Sequence, residues 1–198
     1  MDEERLNRQF AFSEEIDKEK NISRMTYISD GTRRENDAEH AWHAALMAIL
    51  LAEYSNEPID VLRTVTMLLL HDLVEIDAGD AFAYDPSAQA AQHGKEVRAA
   101  DRLYGLLPED QGRYFRGLWE EFEAGTTPEA RFAHVMDNLQ PLMLNALQKG
   151  RLWREQGVTL DQVLARNRIT PNGSRSLWDY ARRTYVQPNV ESGAIKDE

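Results

Sequence analysis

Residues 58–80, PIDVLRTVTMLLLHDLVEIDAGD, contain the most apolar helical segment of the chain, followed directly by a dense group of acids and bases. Apolar side chains over residues 65–70 lie on nearly all sides of a helix, which predicts a buried central helix from about Pro58 to Val74. Gly79 then marks a break. Titratable groups are costly to bury unless they are paired or bind a metal. The stretch therefore predicts both the centre of the fold and the place of a functional site.

The remaining sequence also shows helical periodicity, and no segment shows the sustained alternation typical of a strand. Residues 22–27 are expected to form helix or turn, and Asp37 is expected to cap the helix that follows a turn at 29–31. The fold class is predicted to be all-α, an irregular multi-helix bundle in one domain over residues 1–189, with a loose tail at 190–198. Helices are predicted at residues 7–16, 38–54, 58–74, 89–106, 108–124, 128–149, 160–165 and 174–184.

Charge and size limit the classes of function. The chain has 198 residues, the size of one ordinary domain. Its 23 basic and 34 acidic residues give a net charge of −11, and an acidic surface disfavours binding to duplex nucleic acid. A small anionic substrate remains possible, because a metal and a few arginines can reverse the field inside a pocket.

Cysteine is absent, which excludes disulfides, thiolate catalysis and cysteine-ligated metals. Any metal must therefore be bound by histidine, aspartate, glutamate or water. The charged first residues show no apolar signal segment, and the apolar stretches at 44–52 and 65–70 are too short to span a bilayer. We expect a cytoplasmic protein with no membrane partner.

Four side chains in helical surroundings could form a metal site: His40, His71, Asp72 and Asp137. Two imidazoles and two carboxylates suit a divalent ion such as Mn, Fe, Co, Ni, Zn or Mg, with positions left open for water. Each residue alone has an ordinary explanation as a packed, capping or hydrogen-bonded side chain. The combination and its order along the chain carry the prediction.

Further candidate acids and bases follow the His71-Asp72 pair. Glu75 lies three residues after Asp72 and four after His71, so the three side chains can share one side of the helix end. Asp80 adds a carboxylate before the chain enters a loop. Core or surface roles are expected for the remaining histidines, His43, His93 and His134.

The order of these residues resembles the H…HD…D motif of the HD superfamily of metal-dependent phosphohydrolases, at His40, His71-Asp72 and Asp137. Longer segments resemble its 5′-deoxynucleotidase branch, over roughly Ile22 to Asn145. Residues 33–40, RRENDAEH, are similar to R-x-E-N-x-x-E-H; residues 71–80, HDLVEIDAGD, to H-D-x-x-E-x-x-x-G-D; and residues 127–137, TPEARFAHVMD, to T-P-E-A…D.

One element departs from that branch, which usually carries R-x-G-W or R-W near the N-terminus. Residues 23–27, SRMTY, supply Arg24 as the match for the arginine but no tryptophan. The surface that contacts the nucleoside is therefore expected to differ. The chain resembles more closely a less characterised hydrolase subgroup that shares the H-D-x-x-E-x-x-x-G-D segment.

The resemblance implies a fold of HD-domain type, a homodimer, one divalent cation on His40, His71, Asp72 and Asp137, and a small phosphorylated substrate such as a nucleotide. Glu75 would orient or deprotonate the attacking water. Asp80 would complete a water network, protonate the leaving alkoxide or contact a sugar hydroxyl. Arg24 or Arg33 would contact the phosphate, although the sequence equally allows salt bridges from these arginines to Glu35 or Glu39.

Several functions remain open from the sequence. The prediction is a phosphomonoesterase of the 5′-nucleotidase type (EC 3.1.3). Within the same superfamily, the alternative is a pyrophosphohydrolase. Outside it, the chain could be a non-catalytic binding or regulatory module that keeps the metal as a structural staple, a role that needs neither Glu75 nor Asp80. An iron oxygenase would use a similar ligand set.

Overall fold

Helices make up most of the molecule, which confirms the predicted all-α class. The computed structural model describes residues 2–80, Tyr84 and residues 86–197, and the side chains in all of these except residues 86–91. The helices are α1 (Glu3–Ile16), α2 (Asp37–Leu51), α3 (Val61–Leu70), α4 (Glu75–Ala78), α5 (Pro86–Gly105), α6 (Glu109–Ala124), α7 (Pro128–Leu147), α8 (Arg151–Gln156), α9 (Leu160–Arg166), α10 (Thr170–Gly173), α11 (Arg175–Ala181) and α12 (Gln187–Glu191).

The predicted central helix is α3, but it is shorter than expected. It begins after Asp60, whose side chain accepts a hydrogen bond from the backbone N–H of Arg63, and it ends at Leu70. Residues His71–Val74 continue as a tighter 3₁₀ turn, which leads directly into α4. Two of its leucines face outward, Leu62 at 75% exposure and Leu69 at 46%, so one side of the helix is not buried by the described residues.

Helix α7 crosses the core beside α2, α3 and α6. Thr127 caps its first turn by accepting a hydrogen bond from the N–H of Ala130, and Pro128 stands where no intrahelical donor is needed. Pro141 lies inside the helix, as the sequence indicated. Because Asp137 is on the buried side of α7, the helix carries a carboxylate to the centre of the molecule.

A two-stranded antiparallel hairpin replaces the helix or turn expected at residues 22–27. Strand β1 (Ser23–Tyr27) pairs with β2 (Arg34–Asn36), with Ser23 opposite Asn36 and Tyr27 opposite Arg34. The guanidinium of Arg34 stacks over the Tyr27 ring at 3.9 Å, and this cation–π contact stabilises the pairing of the two strands. Strands of five and three residues are too short to show a clear alternation in the sequence.

The N-terminal cap of α2 is Asn36, one residue before the predicted Asp37. The Asn36 side chain accepts from the N–H of Glu39, and the Glu39 carboxylate accepts from the N–H of Asn36. Asp37 is instead the first helical residue, and its side chain is fully buried.

The expected loose tail after residue 190 is wrong for the described residues. Helix α12 continues to Glu191, and Ala194 and Ile195 are each only 1% exposed. The backbone of Lys196 bonds to Val158 and Leu160 at 3.0 and 2.8 Å. Two buried apolar residues and these backbone bonds to the start of α9 therefore hold residues 194–196 against the rest of the molecule. No described helix combines the length and apolar character needed to cross a membrane.

Candidate metal centre and its cavity

Three segments bring the four predicted ligands together in the core. His40 comes from the first turns of α2, His71 and Asp72 from the 3₁₀ turn after α3, and Asp137 from the middle of α7. His40, His71 and Asp72 each place one ligand atom within 4.8 Å of the other two. Oδ1 of Asp137 lies 3.2 Å from Nε2 of His40 and 3.8 Å from Nε2 of His71. The geometry thus forms one compact group of two imidazoles and two carboxylates.

A hydrogen-bond chain sets the orientation of His40. Nε2 of Gln140 donates to Oε1 of Glu35 at 2.6 Å, so the amide oxygen of Gln140 faces Nδ1 of His40 at 2.9 Å. Nδ1 then carries the proton, and the lone pair of Nε2 points toward the carboxylates of Asp72 and Asp137. A lone pair facing two carboxylate oxygens is repulsive unless a cation lies between them.

His71 also turns its Nε2 toward the carboxylates, but a backbone carbonyl rather than a side chain binds its Nδ1. Its Nδ1 donates to the carbonyl oxygen of Leu68 at 2.8 Å. Its Nε2 is buried, forms no hydrogen bond with any residue that the structure describes, and lies 3.1 Å from Oδ2 of Asp72. Burial disfavours the charged ring, but the nearby charges of Asp72 and Asp137 raise the pKa of His71 well above its ordinary value. The cluster therefore favours a positive charge at its centre.

The separations of these atoms fit a metal ion. Ligands about 2.0–2.2 Å from a divalent ion lie roughly 3.0–3.5 Å from one another in tetrahedral or octahedral sites. The distances of 3.1 Å from His71 to Asp72 and 3.2 Å from His40 to Asp137 fall in that range. The other two, 3.8 and 3.9 Å, need only small adjustments. With the orphaned Nε2 of His71, the donor set fits a single divalent cation.

Of the two arginines proposed from the sequence, Arg24 lies beside the four candidate ligands. Its Nη1 donates to Oδ2 of Asp72 at 2.8 Å and to Oδ1 of Asp37 at 3.0 Å. Burial disfavours the charged form of Asp72, but the positive charges of His71 and Arg24 keep its pKa below the usual range. Strand β1 thus delivers a guanidinium to the edge of the ligand cluster.

The two predicted catalytic acids also lie here. Glu75 is the first residue of α4, and its buried Oε2 has no hydrogen-bond partner among the described parts of the chain. Burial, together with the negative charges of Asp72 and Asp37, raises the pKa of Glu75 well above its ordinary value. Burial also raises the pKa of Asp80. Gly79, at a φ of 76°, allows the sharp turn between α4 and Asp80.

These side chains surround a cavity of about 300 Å³. Its wall includes residues that sequence reasoning did not assign to a site, and these come mainly from α5, α6, α7 and α9. They include Glu96, Glu123, His134, Asn138 and Arg166. Nothing in the local sequence marks them, because they reach the cavity only through the packing of distant helices.

Two of the three histidines for which core or surface roles were expected, His93 and His134, lie close to the candidate site. Nε2 of His134 bonds to the carbonyl oxygen of Phe122 at 2.8 Å, a structural role on the cavity wall. His93 forms a second histidine–carboxylate group with Glu96 and Glu123. Both carboxylates of that group line the cavity.

Arg33 does not reach the cavity. Its guanidinium bonds to Glu39 at 2.6 and 2.8 Å, and its side chain is 54% exposed. It is not among the described residues that line the pocket. The structure therefore shows the salt-bridge alternative for Arg33, with Glu39 as its partner, and does not bring Arg33 to the cavity with the other predicted residues.

Known proteins resemble the chain in both sequence and structure. A family model described as HD domain matches residues 16–178. The crystal structure of a predicted metal-dependent phosphohydrolase from Magnetospirillum magnetotacticum is 47% identical, with a TM-score of 0.92, and the match covers 98% of this chain and 96% of that one. A conserved hypothetical protein from Pyrococcus furiosus shares the fold at 22% identity and a TM-score of 0.65, over 88% of this chain and 99% of that one.

Curated relatives match over a shorter region. The 5′-deoxynucleotidase HDDC2 of Xenopus laevis is 31% identical over 123 residues, which is 62% of this chain and 59% of that protein. The human 5′-deoxynucleotidase HDDC2 is 27% identical over 125 residues, 63% of this chain and 60% of that protein. The match spans about three fifths of the length of these relatives.

Proposed function

The chain belongs to the HD domain family, and on that premise we propose that it is a divalent-metal-dependent phosphohydrolase. Its substrate would be a nucleoside 5′-monophosphate or a similar small phosphate ester. The observation that carries the proposal is the convergence of His40, His71, Asp72 and Asp137 beside a cavity. The similarity to 5′-deoxynucleotidases of frog and human supports a nucleotide as the substrate.

The ion would be held by His40, His71, Asp72 and Asp137. The two histidines would bind it through Nε2, and the two aspartates through the carboxylate oxygens that face those nitrogens. A divalent cation in such a site lowers the pKa of water and withdraws charge from a phosphoryl oxygen. The ligand set suits Mn, Fe, Co, Ni, Zn or Mg alike.

Glu75 would orient or deprotonate the attacking water. It lies one helical turn beyond Asp72, and no described residue bonds to its buried Oε2, which could accept from a water. Asp80 lines the same cavity, and its raised pKa suits a carboxyl group that donates a proton to the leaving alkoxide. A metal that served only as a structural staple would need neither group.

The direct test is turnover. We would strip the metal from the protein, restore single ions, and measure inorganic phosphate released from a panel of nucleotides and small phosphate esters. The proposal predicts ion-dependent phosphate release from a monoester. No release with any ion would overturn it, and release of pyrophosphate instead would show a pyrophosphohydrolase.

A matched pair of variants separates catalysis from metal binding. Glu75→Gln should retain the metal and lower kcat by about 10²–10⁴-fold, the usual contribution of a general base. Glu109→Gln, at an exposed glutamate of α6, should leave turnover unchanged. Full activity of the Glu75 variant would remove that residue from the mechanism. A cytoplasmic location and the lack of membrane or duplex nucleic-acid partners stay predictions of the sequence.

A further inference from the structure

Asp137 divides its two carboxylate oxygens between different partners. Oδ1 faces Nε2 of His40 at 3.2 Å, toward the centre of the ligand cluster. Oδ2 accepts from Nη2 of Arg166, also at 3.2 Å. The guanidinium of Arg166 therefore lies one carboxylate group away from the proposed metal position, on the cavity wall.

The two arginines of the described cavity wall differ in their exposure and in the number of carboxylates that they already bind. Arg24 is 13% exposed, and one of its terminal nitrogens is already shared between Asp37 and Asp72. The Arg166 side chain is 32% exposed, and the described residues give it one ion pair, to Asp137. A guanidinium has five N–H donors in a planar fork. Arg166 thus has more donors to offer an incoming ligand.

The charge of the cavity wall favours such a donor. Its described wall carries six carboxylates, from Asp72, Glu75, Asp80, Glu96, Glu123 and Asp137, against the two arginines. Against two guanidinium charges and one divalent cation, six ionised carboxylates leave this wall with two negative charges in excess, and protonation of two carboxyl groups would cancel them. A phosphate dianion entering it would be repelled wherever no cation contacts it directly.

Arg166 is also held in place independently of the ligand cluster. It is the last residue of α9, and the next residue, Asn167, is buried and bonds through its side chain to the carbonyl oxygen of Val163 at 2.9 Å. The other end of α9 is joined to the chain end through Leu160 and Lys196. The guanidinium is therefore presented to the cavity by a fixed element.

From these observations we propose that Arg166 binds the phosphoryl group of the substrate, donating to two of its non-bridging oxygens while the ligand cluster faces a third. Bidentate donation to phosphate is the arrangement for which a guanidinium is best suited. This inference rests on the proposed function and adds to it the residue that binds the phosphoryl group.

The test compares Arg166→Gln and Arg166→Lys with Arg168→Gln, a matched control two residues away that is exposed and lies outside the described cavity wall. KM and kcat are measured on metal-loaded protein, and binding of inorganic phosphate is measured separately by calorimetry. Arg166→Gln should raise KM and the dissociation constant of phosphate by about tenfold or more, as expected for lost charge-assisted hydrogen bonds. The lysine variant should fall between, and Arg168→Gln should match the wild type.

Two results would overturn the proposal. Unchanged KM and phosphate affinity in Arg166→Gln would show that the guanidinium does not contact the phosphoryl group. Loss of bound metal in that variant, measured by elemental analysis, would show that Arg166 acts through Asp137 as a positioning residue. If the wild type hydrolyses no ester, the proposed function fails, while phosphate binding by the variants still decides the role of Arg166.

Discussion

At the residue scale, Gln140 links the metal centre to the hairpin. Its side chain is fully buried, accepts from Nδ1 of His40 and donates to Glu35. This arrangement keeps the proton of His40 on the nitrogen that faces away from the ligands. A partner of this kind orients a metal-binding imidazole and raises its basicity.

We predict that Gln140→Met weakens metal binding by about 10–100-fold, the usual effect of removing such a partner, while the fold persists. Methionine keeps much of the side-chain volume but cannot accept the proton of His40. The dissociation constant is measured by competition with a chelator, with Gln187→Met, at an exposed glutamine, as the control. An unchanged constant would show that His40 needs no support from Gln140.

The candidate ligands could be predicted from the sequence because their order and helical surroundings form a motif. Arg24 and Arg33 could not be distinguished in the same way, since both lie near acidic residues and only the hairpin shows which one turns inward. Arg166 was missed because its partner, Asp137, lies 29 residues away in the chain. Contacts of that range depend on packing, which local patterns do not report.

At the scale of elements, the longer helices could be predicted to within a few residues, whereas the short helices α4, α8, α10 and α12 and the hairpin could not. Short strands leave too few alternating positions, and their pairing is decided by tertiary contacts such as Arg34 over Tyr27. The 3₁₀ turn at His71–Val74 was also missed, because an apolar run does not distinguish an α-helix from a tighter turn.

The contact of α10 with α7 depends on a glycine. A Cβ atom on Gly173 would lie 2.3 Å from the carbonyl oxygen of Arg131 and 2.6 Å from Cγ2 of Val135. Because backbone cannot yield easily, Gly173→Ala should lower the free energy of unfolding by about 1–3 kcal/mol, as overpacking does. Urea denaturation measures this change.

Gly117→Ala serves as the control for that experiment. Gly117 lies within α6, and its added Cβ would meet nothing within 4 Å. Alanine there should raise stability by roughly 0.5–1 kcal/mol, because it favours the helix. Equal stability of Gly173→Ala and the wild type would show that α10 can move away from α7 without cost.

At the scale of the whole molecule, α2 presents an apolar stripe to solvent. Trp42, Leu46, Ile49 and Leu50 are between 46% and 74% exposed. Their spacing of four, three and one residues places them on one face of the helix. Exposed apolar patches of this kind are typical of interaction surfaces, so the stripe supports the predicted homodimer.

We predict that Leu50→Glu converts a dimer into a monomer, since a buried charge without a partner destabilises an interface. Light scattering after size exclusion measures the mass. Leu147→Glu, at a leucine 58% exposed near the end of α7, is the matched control and should leave the dimer intact. A monomeric wild type, or a Leu50→Glu variant that remains dimeric, would rule out this face.

We propose that His40, His71, Asp72 and Asp137 hold one divalent ion and that hydrolysis depends on it. The most direct measurement titrates the metal-stripped protein with a single ion while recording bound metal and released phosphate together. We predict that phosphate release rises with occupancy and saturates at one ion per chain. Asp137→Ala should neither bind the ion nor release phosphate. Asp161→Ala, at an exposed aspartate of α9, should behave as the wild type. Full occupancy in Asp137→Ala, or phosphate release that does not depend on bound metal, would contradict it.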